Sequence, residues 1–302
     1  MPQAQMMRTL QIGHSPDPDD AFMWYPLTCS DNGGEPGGGV NKSLFDTGGY
    51  QFVHVLQDIQ TLNDRSQHGD LEITALSMAQ YPYVADRYAL TSCGASMGDG
   101  YGPMVVARQD SGLRPQDLAT VKIAVPGRGT SAFLALSLWL QQQVPNFEVV
   151  MFDEIIPAVV RGDYQAGLII HEGQLTYADA GLVRLLDLGQ WWADTRGLPL
   201  PLGANAIRRD LGEASMRSVC AVLKRSIQHA LDHREEAIAY ALNYARDMGR
   251  DLADRFVGMY VNELTIDYGA RGREAVQRFL TEAADHGFVP RCEQIDFVEP
   301  TA

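Results

Sequence analysis

The chain has 302 residues, of which 45% are apolar, and its 38 acidic against 24 basic side chains leave a formal charge of -14. That length suits two ordinary domains or one large α/β domain, and the composition suits a folded chain. An acidic chain without a basic footprint argues against nucleic acid or an anionic membrane as partner. No stretch reaches the roughly 18 apolar residues of a membrane span, so a cytoplasmic location is expected. The cysteines Cys29, Cys93, Cys220 and Cys292 form no CxxC or zinc spacing and are expected to be isolated thiols.

From the amino end, residues 9–13 predict a short strand, and His14-Ser15-Pro16-Asp17-Pro18-Asp19-Asp20 a rigid polar turn. Two prolines forbid continued regular structure there, and an aspartate can cap a helix over 21–27. Residues 30–49, rich in Gly, Asn and Asp, read as an exposed excursion. A strand at 51–56, a helix at 58–68 and an apolar segment at 71–76 follow. Such alternation predicts a largely parallel sheet covered by helices.

The Gly- and Ser-rich segment 91–103 predicts a first crossing between lobes, with glycine supplying hinge freedom. Then come a strand at 121–125, the polar turn PGRGTS, an apolar helix at 132–143, a strand at 148–152, a helix at 154–161 and a strand at 167–170. The Pro- and Gly-rich segment 195–204 predicts a second crossing. Helices are expected at 211–229, 234–248, 252–260 and 272–284, returning to cover the first lobe. The predicted fold class is therefore α/β, with two lobes around a central ligand cleft. Its first lobe is discontinuous, built from 1–100 and 200–302, and its second spans 101–199.

Several residues could carry chemistry in that cleft. His171 follows the apolar strand GLII, so it should emerge at a strand end and could move a proton near neutral pH; a strand-capping histidine is the structural alternative. Thr130 and Ser131 sit at a helix start, where N–H groups and hydroxyls could hold a carboxylate or phosphate, and Arg128 could add charge. Of Asp17, Asp19 and Asp20, one should cap a helix and another orient a ligand hydroxyl. The stretch lacks the further ligands of an EF-hand. Ser77 ends an apolar run and either donates into the cleft or caps the next helix. Trp191 and Trp192 could wall the pocket, and Asn63 alone reads as a solvated helix residue. GxSxG, GxGxxG and the Walker A pattern are all missing.

The segments HSPDPDDAFMWY, DIQTLN, ITALSMAQYPYVADRYAL, GDGYGPMVV, PGRGTSA, LIIHEGQLTY, LDLGQWWADTRGLPLPLG and VNELTIDYGARGREAV together cover nearly the whole chain. In order and spacing they resemble the menaquinone-biosynthesis family that contains 1,4-dihydroxy-6-naphthoate synthase and the related chorismate dehydratase. The resemblance is closer to the synthase branch. It implies a periplasmic-binding-protein type II-like fold and a lyase that cleaves cyclic dehypoxanthinylfutalosine into 1,4-dihydroxy-6-naphthoate and a three-carbon fragment, without metal or redox cofactor. It further implies His171 as base, with Ser77, Thr130, Ser131 and the first loop from Ser15 to Asp20 binding a small carboxylated cyclic substrate. The chain departs from the family where SPCPNDTF is SPDPDDAF and where Ala75 stands in place of a frequent lysine. The alternatives are a chorismate dehydratase-like lyase and a non-catalytic solute-binding protein for an organic anion.

Overall fold

The computed structural model describes residues 7–28, 43–245 and 249–301. The chain begins with β1 (Arg8–His14) and α1 (Pro18–Trp24), then continues through β2 (Tyr50–Leu56), α2 (Ile59–Ser66), β3 (Ile73–Ser77), α3 (Tyr81–Val84), β4 (Tyr88–Thr91) and β5 (Ser96–Gly98). It next runs through β6 (Met104–Arg108), β7 (Ile123–Val125), α4 (Ser131–Leu140), β8 (Phe147–Val149), α5 (Ile155–Arg161), β9 (Ala166–Ile169), α6 (Gly173–Thr176), β10 (Leu182–Asp187) and α7 (Leu188–Arg196). It ends with β11 (Leu200–Arg208), α8 (Glu213–Asp232), α9 (Arg234–Ala241), α10 (Arg250–Tyr260), α11 (Glu263–Ile266), α12 (Gly269–Asp285) and β12 (Phe297–Val298).

Two sheets form the two lobes. The first has the order β12-β4-β11-β3-β1-β2, with β5 also on β11, and the second has the order β10-β6-β9-β7-β8. In the first, β2, β1 and β3 are parallel and β11 runs antiparallel between β3 and β4. In the second, β8, β7 and β9 are parallel and β6 runs antiparallel between β9 and β10. The two lobes therefore repeat one topology that leaves no repeat in the sequence. The expectation of largely parallel sheets is corrected to mixed ones. Each sheet admits one strand of a chain arriving from the other lobe, and that strand enters against the parallel direction.

The crossings are more regular than their Gly and Pro content suggested. The helix α7 extends to Arg196 and β11 starts at Leu200, so the second crossing is mostly strand. Pro201 is accommodated where the β11–β5 register shifts between Pro201 and Gly203. The pairing of β5 with β11 also joins the two crossings side by side. Glycines here answer both to backbone freedom, with positive φ at Gly94, Gly100 and Gly197, and to close approach. A Cβ at Gly98 or Gly189 would overlap the Tyr101 carbonyl, and one at Gly94 would overlap the Asn205 amide.

The first helix, PDDAFMW, is short and apolar after its two aspartates, and it is buried on nearly every side. Phe22, Trp24 and Leu27 join Leu10, Ile12 and Ile73 in a core closed by Val219, Leu223 and Ile227 of α8, Ile238 of α9 and Val257 of α10. The C-terminal helices thus cover the first lobe. A second core runs through both lobes, from Leu76, Tyr81 and Phe279 to Val105, Val125, Phe133, Leu168 and Trp192. Cys93 and Cys220 are buried neighbours rather than isolated thiols, with the Cys93 Sγ 3.9 Å from the Cys220 carbonyl. Most of the excursion expected at 30–49, namely 30–42, lies outside the described residues, as does Cys29.

Candidate active site

Ligand crevices in α/β sheets open beyond the carboxyl ends of parallel strands, where neighbouring connections depart in different directions. Here two such places face one cleft. The central pair β1 and β3 of the first sheet leads to Ser15 and ends in Ser77. The pair β7 and β9 of the second leads to Thr130 and His171. All four residues line a single cavity of about 750 Å³, counting its open mouth, with Asp19, Asp20 and Ser131 also in its wall.

The first loop divides its three aspartates among three tasks. Asp20 Oδ2 accepts from the Ser15 backbone N–H at 2.8 Å and from its hydroxyl at 2.9 Å, which folds the turn onto the start of α1. Asp17 occupies the N-cap position of α1, yet its side chain makes no capping bond. It is 2% exposed, does not line the cavity, and places Oδ2 3.3 Å from Nδ1 of His171 in the opposite lobe. The expectation of a helix cap is therefore corrected, and Asp17 stands outside the lining of the cavity. Asp17 lies behind His171, its own backbone held extended between Pro16 and Pro18.

Asp19 faces the cavity with a buried Oδ1 that has no protein partner. Burial, reinforced by the negative charges of Asp20 and Asp17 and only partly offset by His171, pushes its pKa up to about 8. Near neutral pH its carboxyl holds a proton and can donate to a ligand oxygen. Beneath it, His14 bridges the Ser15 carbonyl at 3.0 Å and His54 Nδ1 at 2.9 Å, and burial lowers the pKa of both rings.

His171 is one of two non-glycine residues with positive φ among those described, at 54°. This left-handed turn ends the β9 segment and swings the ring toward Asp17, while the Phe152 ring packs edge-on at 4.7 Å. Burial lowers the imidazole pKa most, but Asp17, Glu172, Asp19 and Asp20 together outweigh it and raise the pKa above its ordinary value. His171 is thus a comparatively strong base.

The hydroxyls expected to hold an anion are already engaged. The Thr130 hydroxyl donates to Gly127 O at 2.8 Å and accepts from Phe133 N at 3.2 Å, as an N-cap does. The Ser131 hydroxyl donates to Leu202 O at 2.5 Å and accepts from Ala79 N at 3.2 Å, so it ties α4 to the other lobe. What remains for an anion is the start of α4, whose first N–H groups have no intrahelical partner. Arg128 does not contribute. It is exposed, stacks 5.6 Å over Phe147 and lines a separate cavity. The flanking Gly127 and Gly129 press against Gln60, which directs the arginine outward. The main cavity has no Lys or Arg in its lining, and Ala75 belongs to its wall.

Ser77 is 3% exposed and makes no capping bond; its N–H donates to Asn63 Oδ1 at 2.9 Å and its hydroxyl accepts from Asn63 Nδ2 at 3.0 Å. Asn63 is fully buried, not solvated, and also reaches Gly129 O of the second lobe at 3.3 Å. Trp191 and Trp192 do not wall the cavity. Trp192 packs 5.4 Å from Phe279, and Arg196 lies over both indoles while pairing with Glu282 at 2.8 Å, so the pair joins α7 to α12. Sequence reasoning missed Tyr260, Gln174 and Asn205. The first two line the cavity and bond across it, Tyr260 OH donating to Gln174 Oε1 at 2.7 Å. Gln174 stands three residues after His171 in HEGQ, a detectable signal, whereas Tyr260 reads as an ordinary core residue of a helix.

A family model described as menaquinone biosynthesis matches residues 10–285. The chain is similar to the 1,4-dihydroxy-6-naphthoate synthase of Thermus thermophilus, with 41% identity over 281 residues covering 93% of this chain and 96% of that one. Among solved structures it resembles an Archaeoglobus fulgidus protein at 41% identity and a TM-score of 0.79, over 93% of this chain and 98% of that one. A ligand-binding component of an ABC-type import system from Staphylococcus aureus has a TM-score of 0.68 over 97% of each chain; at 12% identity it shares the fold alone.

Proposed function

The chain belongs to the menaquinone-biosynthesis family, and from that membership and the cleft we infer that it is a carbon–carbon lyase cleaving cyclic dehypoxanthinylfutalosine to 1,4-dihydroxy-6-naphthoate. The observation that carries the assignment of the base is His171 itself: a cavity-lining imidazole, raised in basicity by surrounding carboxylates and aimed by a left-handed backbone turn.

The substrate sits between the lobes. His171 removes a proton from a carbon made acidic by a neighbouring carbonyl, and the electron pair left on that carbon starts carbon–carbon cleavage. Aromatisation of the product drives the step. The start of α4 holds the substrate carboxylate, and protonated Asp19 donates to a substrate oxygen. Asp20 and Ser77 shape the opposite wall. Enclosure between two lobes removes water from the developing charge.

The test is incubation of the purified protein with cyclic dehypoxanthinylfutalosine and, separately, chorismate, with product followed by mass. Conversion of the first alone is expected. His171→Asn should abolish turnover while substrate affinity, measured by calorimetry, stays within a few-fold; undiminished turnover would remove His171 from the mechanism.

A further inference from the structure

We propose that Asp17 is a positioning residue for His171, reaching across the cleft from the other lobe to fix the ring and its tautomer. The proposal rests on His171 being the base. Asp17 is supplied by the connection between β1 and α1 of the first lobe, and His171 by the end of β9 in the second. Their atoms meet at 3.3 Å between Oδ2 and Nδ1. Asp17 has left the cavity wall and is 2% exposed, so its carboxylate is spent neither on ligand nor on its own helix. His171 meanwhile adopts a backbone conformation rarely used by non-glycine residues, one that turns the ring toward that carboxylate.

The chemical consequence follows from the imidazole itself. A carboxylate at Nδ1 favours the tautomer with the proton on Nδ1, so neutral His171 presents the Nε2 lone pair to the cavity it lines. When the substrate C–H bond breaks, its electron pair stays on carbon, the proton goes to Nε2, and the resulting imidazolium faces Asp17. Four carboxyl groups face this ring: Asp17, Asp19 and Asp20 from the first lobe, and Glu172 beside it. Of these, Asp17 places a carboxylate oxygen 3.3 Å from Nδ1. Because the partners belong to different lobes, the base is completed only when the lobes are together. Gln174 and Tyr260 hold the same two lobes near it.

The experiment compares wild type, Asp17→Asn and Asp17→Glu. For Asp17→Asn, the acid limb of kcat/KM, which rises with pH as His171 loses its proton, should move down by about one pH unit. Its plateau kcat should fall at least tenfold, with KM changed less than threefold, and Asp17→Glu should recover part of the loss. A KM rise at constant kcat, or an unmoved pH limb, would overturn the proposal and return Asp17 to substrate contact. Independently of folding in the variants, nitrogen-15 NMR of the wild-type protein should show His171 protonated on Nδ1 with 1,4-dihydroxy-6-naphthoate bound; protonation on Nε2 would also overturn it. Turnover surviving in His171→Asn would instead refute the base assignment, a failure distinct from that of the pair.

Discussion

At the scale of single residues, charge in the first loop is governed by burial. An added carboxylate beside an anionic substrate would normally repel it, yet Asp19, pushed up to about 8, is uncharged near neutrality and becomes a donor. The same shift predicts a stability effect. Asp19 holds its proton more tightly folded than unfolded, so it favours folding fully below pH 4, loses that contribution between pH 4 and 8, and changes nothing further above 8. Asp19→Asn should flatten the decline in stability across this window by up to about 1.4 kcal/mol per pH unit, the value of one proton. Urea unfolding at pH 4, 6 and 8 checks it, and parallel curves for both proteins would contradict it. Asn63 carries the opposite lesson: a polar side chain read as solvated is fully buried because Ser77 and the Gly129 carbonyl satisfy it.

At the scale of elements, the crossings differ most from what their composition suggested. Gly and Pro marked loops, and the chain instead builds the β5–β11 pair and brings α7 against the first crossing. Leu188 N–H donates to Pro103 O at 2.9 Å, and Gly189 packs directly on the Tyr101 carbonyl. Gly189→Ala should therefore cost about 1–3 kcal/mol, the usual range for overpacking, although alanine is the better helix former. Chemical denaturation measures this, and a neutral or stabilising outcome would show that the crossing yields. Strands and helices with strong periodicity or a long apolar run were legible: β1, β2, α4, α8 and α12 lie within a few residues of their expected positions. Others, such as β10 and β12, were not, because they gain strand character from the strands they pair with.

At the scale of the molecule, two lobes do not mean two independent cores. One apolar cluster runs from Leu76 and Phe279 through Phe133 and Trp192, and Ser131, Asn63 and Gln174 bond across the cleft. The protein should unfold in one calorimetric transition, with calorimetric and van 't Hoff enthalpies equal. Saturation with 1,4-dihydroxy-6-naphthoate at a hundred times Kd should add about 2.7 kcal/mol and keep a single peak. Two resolved transitions would show that the shared core does not couple the lobes.

The sequence by itself determined the α/β class, the strand-end origin of Ser15, Ser77, Thr130 and His171, and the family that its segments resemble. Those properties are local: hydrophobic period and turn chemistry mark where a strand stops, and a side chain at such a stop faces a crevice. Tertiary structure alone decided which groups keep their expected tasks. Arg128 points outward, Thr130 and Ser131 spend their hydroxyls on protein, Asp17 leaves the wall to meet His171, and Tyr260 and Asn205 arrive from distant elements. Contacts between residues distant in the chain depend on how two sheets face each other, and burial between those sheets then raises the pKa of Asp19. Neither quantity is written in a local pattern.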